Sequence, residues 1–301
     1  MGKVVFIACT NVGRSMIEAV MCSEALQGVE LVGVVNMSPS AAIGKANYDS
    51  YVDLFEKYHI QHYYCESVNE QGCVAFLKNC QPDIIIQSGW SEKFMEKILT
   101  IPTYACIGEH PAPLPKGRGA ACVNWAIISG EKKWGDTFFK MEMEYDTGVV
   151  YSQEYFDIEI YDDVKTVYDK VALASVRAIE KNLRNWTNGI LDGMQQDDTK
   201  ATHYPRRRPE DGAISFHEDT AEHIYNCIRG QAKPYPGAYI IWDNGGEKKK
   251  VYMWKARIGD NVSDEEVEVL CKDGNRVILC RVQEEGKPEM WAADYFQAKE
   301  I

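Results

Sequence analysis

The stretch whose reading decides the fold runs from Cys106 to Gly148: CIGEHPAPLPKGRGAACVNWAIISGEKKWGDTFFKMEMEYDTG. An apolar strand, Tyr104 to Ile107, is followed by His110 in an irregular loop interrupted by prolines. Lys116-Gly117-Arg118-Gly119 then gives a flexible, positively charged turn, and Asn124 to Ile128 opens a helix. Thr137 to Met141 and Val149 to Ile158 read as two further strands, joined through the polar turn Tyr145-Asp146-Thr147-Gly148. In a parallel α/β sheet the loops at the strand C-termini are where ligands bind. One imidazole and one carboxylate are therefore expected to converge from neighbouring loops, an arrangement suited to proton transfer. Taken alone, a histidine beside proline and an Asp-x-Gly turn are equally compatible with purely structural roles.

Working outward, the first half alternates short apolar runs with helical patterns, as an α/β unit with a parallel sheet does. Val4 to Ile7 and Leu31 to Val35 are candidate strands, with helical composition from Ser15 to Leu26 between them. Asp83 to Gln87 is short, continuous and β-branched, hence a strand buried on both faces. From Asp162 the apolar positions Val164, Val167, Tyr168, Val171, Ala174 and Ala178 predict a helix closing the first domain near residue 185. Residues 186–212 are polar and read as an extended linker. Beyond it come a short helix, Ala221 to Arg229, and the turn Pro234-Tyr235-Pro236-Gly237. Four short strands follow: Ala238 to Trp242, Val251 to Ala256, Val267 to Cys271 and Val277 to Val282. Turns such as Asp243-Asn244-Gly245-Gly246 separate them, and residues 213–301 are expected to form a small β-barrel.

Bulk properties exclude several classes. The chain has 301 residues, 45% of them hydrophobic, enough to bury a sizeable core. A formal net charge of -12 argues against general attraction to nucleic acid or an anionic membrane. The apolar run Val4 to Ile7 is too short for a signal peptide or a membrane span, so a cytoplasmic protein is expected. Its ten cysteines are scattered without a C-x-x-C pair and read as reduced and mostly buried. No spacing fits a zinc site, and no metal is expected.

The order of elements in the opening stretch resembles the folate-dependent formyltransferases. His110, Leu114-Pro115, Arg118-Gly119, Trp125-Ala126-Ile127, Gly130-Glu131, Asp136-Thr137 and Asp146-Thr147-Gly148 all match that family's signature in register. Arg206 to Gly212, Ile228-Arg229 and Pro234 to Ala238 look like the linker and barrel entrance of its tRNA and sugar branches. The resemblance implies a Rossmann-like catalytic domain over 1–185 with a mostly parallel sheet, and a small OB-like barrel over 213–301. His110 would stabilise the tetrahedral intermediate formed when an amine attacks the formyl carbon. Asp146 would hold His110 or a water and help remove the amine proton. The formyl donor would be 10-formyltetrahydrofolate, its pterin read near Gln87, Ser88, Gly89, Trp90 and Phe94 and along Glu142, Met143, Glu144 and Tyr145.

One family residue is absent. An asparagine two positions before the histidine is replaced by Gly108. Losing one oxyanion donor typically lowers the rate by roughly a hundredfold or more. Asn124 is expected to reach in as a substitute; a backbone N–H or a water is the second solution, and loss of transfer in favour of folate binding or hydrolysis the third. For the acceptor, Asn11 and Arg14 at the start of the first helix, with Lys116 and Arg118, are the expected diphosphate contacts. A nucleoside-diphosphate-linked aminodeoxysugar is the favoured acceptor and a methionyl-tRNA the alternative. From residue 201 onward there are 15 Lys and Arg against 18 Asp and Glu, too acidic a balance for a surface gripping RNA. A homodimer through the barrel is left open.

Overall fold

The computed structural model describes residues 1–243 and 246–296; Asn244 and Gly245 of the expected turn lie outside the described residues. In chain order the elements are β1 (Gly2–Ala8), α1 (Asn11–Cys22), β2 (Val29–Met37), α2 (Val52–Tyr58), β3 (His62–Cys65) and α3 (Gln71–Cys80). Next come β4 (Ile84–Ser88), α4 (Glu96–Leu99), β5 (Ala105–His110), β6 (Arg118–Gly119), α5 (Cys122–Ile128), β7 (Lys133–Lys140), β8 (Val150–Asp157) and α6 (Val164–Trp186). The chain continues with β9 (His203–Tyr204), α7 (Ala221–Gly230), β10 (Ala238–Asp243), β11 (Lys248–Arg257), β12 (Val267–Leu270), β13 (Arg276–Glu284), β14 (Met290–Trp291) and α8 (Ala292–Phe296).

The chain divides into two compact units. The first comprises 1–119, 133–157 and 168–204; the second comprises 120–132, 158–167 and 205–301. The first unit is built on a seven-stranded sheet in the order β3-β2-β1-β4-β5-β7-β8. Five strands run parallel, and β7 and β8 extend the sheet antiparallel. Strand order reverses between β1 and β4, which opens the crevice at the strand C-termini that open α/β sheets use for ligands.

Sequence chemistry explains the elements. Ile84, Ile85 and Ile86 are fully buried, as a β-branched run covered on both faces must be. In α1 the buried residues Val12, Met16, Ile17 and Val20 recur at spacings of three and four, which is one helical face. At the start of α6 the Thr166 N–H donates to Asp163 Oδ1 at 2.9 Å and the Asp163 N–H to Thr166 Oγ1 at 2.9 Å, a reciprocal cap. One difference from expectation matters for the site. β5 continues to His110 instead of ending at Ile107, because β7 pairs with it from Ile107 through His110. The histidine therefore closes a strand and does not hang from a loop.

The second unit carries an antiparallel half-barrel sheet in the order β10-β11-β13-β12, with β14 on β13. Its core gathers Ile224, Ile228, Ala238, Val251, Met253, Val277, Leu279 and Val282. Two-residue alternation sets Val251 and Met253 of β11, and Val277 and Leu279 of β13, toward this core.

Candidate active site

His110 is held by two neighbours in the first unit. Its Nε2 donates to the Gly117 carbonyl at 2.8 Å, since a carbonyl oxygen only accepts. That leaves Nδ1 facing Asp146, 3.9 Å from Oδ1. The ring is 8% exposed, so the pair works largely out of water. Asp146 is fixed from the other side, its Oδ2 accepting the Gly119 N–H at 2.9 Å. A carboxylate opposite Nδ1 favours the doubly protonated ring, which carries a donor on each nitrogen.

The Asp-x-Gly signature has a steric origin. Asp146 adopts φ +57°, the left-handed region that short polar side chains tolerate. Gly148 lies so close to the Lys140 carbonyl that a Cβ would collide with it. Gly119, at φ +100°, lies equally tight against the Tyr204 carbonyl. A second layer secures this geometry. Gln196 Nε2 donates to the carbonyls of Asp146 and Gly148, each at 2.8 Å. Its Oε1 accepts from Arg118 Nη2 at 2.7 Å, and the same nitrogen reaches Asp198 Oδ1 at 2.7 Å. Thr202 Oγ1 accepts the Gly117 N–H at 2.8 Å. Gln196 and Thr202 belong to the segment read as a linker, and their positions carry no sequence signal of a role in the site.

Several expected site residues are placed otherwise. Arg118 is 5% exposed and bound to Gln196 and Asp198, so it braces the Asp146 turn and is not presented to a diphosphate. Arg14 chelates Asp49 through Nε and Nη2 and Asp53 through Nη1 and Nη2, which neutralises its charge locally and raises its proton affinity. Asn11 opens α1 with its Oδ1 buried and unpartnered among the described residues. The Lys116 ammonium lies over the Trp134 ring, 5.5 Å from its centre.

Asn124, the expected substitute donor, is engaged elsewhere. It belongs to the second unit, is 1% exposed, and its Nδ2 donates to the Gly230 carbonyl at 2.8 Å. The position of the missing asparagine is filled as well: a Cβ on Gly108 would stand 2.8 Å from the Phe139 ring and 3.2 Å from Met141 Cγ.

Of the expected pterin contacts, Trp90 and Phe94 are buried in the core on one side of the sheet, 7% and 2% exposed, and cannot act as open stacking faces. Gln87 Nε2 donates to the Trp90 carbonyl at 3.1 Å. Ser88 donates from Oγ to Glu109 Oε2 at 2.6 Å, and Gly89, at φ +66°, packs on Thr10. Glu142, Met143, Glu144 and Tyr145 form an exposed run leading directly into Asp146.

A histidine at the end of β5 and an aspartate in the neighbouring turn, held together beside the crevice of a doubly wound sheet, are an arrangement that α/β enzymes use. Comparison with known proteins narrows the class: the formyl transferase family pattern matches residues 2–183, and that of the formyl transferase C-terminal domain matches residues 207–300. The chain belongs to the formyl transferase family and is a folate-dependent formyltransferase. It is 35% identical over 228 residues to the methionyl-tRNA formyltransferase of Caldanaerobacter subterraneus subsp. tengcongensis, covering 73% of this chain and 72% of that one. Its fold is similar to that of HypX from Aquifex aeolicus in complex with tetrahydrofolic acid, with a TM-score of 0.68 and 18% identity. That match covers 98% of this chain but 47% of HypX, so the chain spans about half of that longer protein. The N-formyltransferase from Helicobacter canadensis in complex with folinic acid and dTDP-3-aminofucose matches with a TM-score of 0.63 and 16% identity, over 94% of this chain and all of that one. Among the described residues no helix is long and apolar enough to cross a membrane.

Proposed function

We propose that the protein transfers a formyl group from 10-formyltetrahydrofolate to the amine of an aminodeoxysugar linked to a nucleoside diphosphate. The observation that carries the transfer chemistry is the His110–Asp146 pair, a buried imidazole at the end of β5 lying 3.9 Å from a partly buried carboxylate in the turn after β7. That spacing is wider than a hydrogen bond, and an amine or a water within reach of both groups fits beside it. The donor supplies an activated formyl carbon. As the amine attacks, protonated His110 sets a positive charge and an N–H beside the oxygen that becomes negative, and Asp146 takes the proton the amine loses; the bond from the formyl carbon to the folate nitrogen then breaks, and that proton passes to the departing nitrogen, directly or through a water. With Gly108 in place of a side-chain donor, a backbone N–H or a water completes the oxyanion contacts. The exposed run 142–145 offers backbone groups for the pterin edge, next to Asp146. No metal enters these steps.

A small anionic acceptor is supported by charge. Residues 201–301 carry 15 basic against 18 acidic side chains, the wrong balance for holding an RNA backbone. The 35% identity to a methionyl-tRNA formyltransferase favours the second reading, a charged initiator tRNA. The two separate in one assay: purified protein with 10-formyltetrahydrofolate is offered aminodeoxysugar nucleotides or methionyl-tRNA, and the formylated product is identified by mass. Formylation of the sugar nucleotide alone supports the first reading; formylation of the tRNA alone overturns it.

A further inference from the structure

The loop that leaves His110 is held in two halves. Its first half, residues 111–115, is fixed by the strands beside it: Trp134 Nε1 donates to the Pro111 carbonyl at 2.8 Å, Thr137 Oγ1 to the Ala112 carbonyl at 2.6 Å, and Gln153 Nε2 to the Leu114 carbonyl at 2.6 Å. The backbone of 117 and 118 is held instead by Thr202, which follows Gly117 by 85 positions. The Thr202 hydroxyl accepts the Gly117 N–H at 2.8 Å, and the Thr202 carbonyl accepts the Arg118 N–H at 2.9 Å. Its own N–H donates to the Pro115 carbonyl at 3.2 Å, and β9 continues from there beside β6, His203 next to Arg118 and Tyr204 next to Gly119.

These contacts decide what the imidazole meets. The Gly117 carbonyl, which accepts from His110 Nε2 at 2.8 Å, shares a peptide plane with the Arg118 N–H. That peptide is trans, so the two groups point in opposite directions. The plane is gripped at both ends, by His110 on one side and by the Thr202 carbonyl on the other. Gly117 does not fix the plane by itself: it sits at φ +83°, and glycine reaches either sign of φ at similar cost. With the plane reversed, the Arg118 N–H would face the ring, and Nε2 would have to accept where it now donates.

We propose that Thr202 is a positioning residue for His110: by holding the peptide planes on both sides of Gly117, it aims the Gly117 carbonyl at Nε2 and so keeps the ring turned with Nδ1 toward Asp146. The proposal rests on the reading of His110 as the group beside the developing oxyanion. Thr202 acts through the Gly117 backbone, one hydrogen bond removed from the imidazole. A β-branched residue suits the position, because its stiff side chain keeps the hydroxyl aimed at one N–H while the backbone runs on into β9. Thr202 is exposed, so replacing it leaves the core untouched.

The test sets Thr202→Val, which keeps the shape and removes the hydroxyl, against Thr202→Ser, which keeps the hydroxyl. Amide hydrogen exchange follows the Gly117 N–H. NMR on histidine-labelled protein, assigned with His110→Gln, follows the proton on Nε2, and steady-state kinetics use 10-formyltetrahydrofolate with the acceptor that the product assay above selects. In Thr202→Val the Gly117 amide should exchange about tenfold faster, the worth of one hydrogen bond, and the Nε2 proton signal should be lost to exchange with water. The same variant should lower kcat by about tenfold and leave KM within about twofold, while Thr202→Ser returns kcat to within about twofold of wild type. An unchanged kcat in Thr202→Val overturns the proposal, as does an unchanged Gly117 exchange rate. A rise in KM with kcat kept overturns it too, since Thr202 would then be a substrate contact, and so does a Thr202→Ser variant no better than Thr202→Val. Full activity of His110→Ala would sink the catalytic reading instead, and the Gly117 exchange and Nε2 proton signal would still decide whether Thr202 sets the ring.

Discussion

Glycine at 108 is explained by what lies beside it. The Phe139 ring and Met141 occupy the volume a side chain would need, so the oxyanion donor seen in the family signature could not be restored by one substitution. Gly108→Asn should therefore destabilise the fold through overpacking by roughly 1–3 kcal/mol, seen as a lower melting temperature, without raising kcat. A gain in kcat with unchanged stability would show that the ring yields. Asn124 belongs to a different account from the one its sequence position suggested. Its amide holds the Gly230 carbonyl inside the second unit, so Asn124→Ala should destabilise that unit by roughly 1–3 kcal/mol and leave kcat close to wild type. Thermal melting together with steady-state kinetics checks both halves of that statement.

At the scale of elements, the site is a set of loop ends tied together by a segment that arrives much later in the chain. Gln196 links the Asp146 and Gly148 carbonyls to Arg118, so its loss should widen the His110–Asp146 geometry without touching the acceptor. Gln196→Ala should lower kcat by about tenfold or more with little change in KM, because misplaced groups lose transition-state interactions first. Equal changes in both parameters would mean the segment binds substrate instead. This tie also marks where the sequence stops being readable. His110 and Asp146 were legible because glycines and prolines at fixed offsets surround them, and steric demands leave such marks. Gln196 and Thr202 left none: a polar residue bracing a turn 50 positions away looks like any other polar residue. The same holds for the contact of Ser88 with Glu109, which depends on strand register. β3, α2 and α3 also passed unseen, since α3 buries only Cys73, Leu77 and Cys80 and offers a weak pattern. The apolar strands and α6 were readable because periodic burial is written directly in residue type.

For the molecule as a whole, the fully buried Asp136 of β7 gives a pH dependence of stability with a definite sign. Asp136 is raised well above the ordinary carboxyl value, so above about pH 4 the folded chain holds a proton that the unfolded chain has released. Its stabilising contribution is complete below that value and is lost as pH rises toward the folded-state pKa. The melting temperature of the wild type should accordingly decline with increasing pH more steeply than that of Asp136→Asn; parallel profiles would contradict a buried Asp136 that holds its proton. A small acceptor that binds the folded state would raise the melting temperature, the stabilisation growing with the logarithm of its concentration over Kd. The account as a whole hangs on His110 and Asp146 acting as one catalytic pair. The measurement that tests this most directly is single-turnover formyl transfer from 10-formyltetrahydrofolate to the accepted amine, by wild type, His110→Ala and Asp146→Ala. Each variant should melt near the wild-type temperature and react at least ~100-fold more slowly. Near-normal turnover by either folded variant would contradict the account.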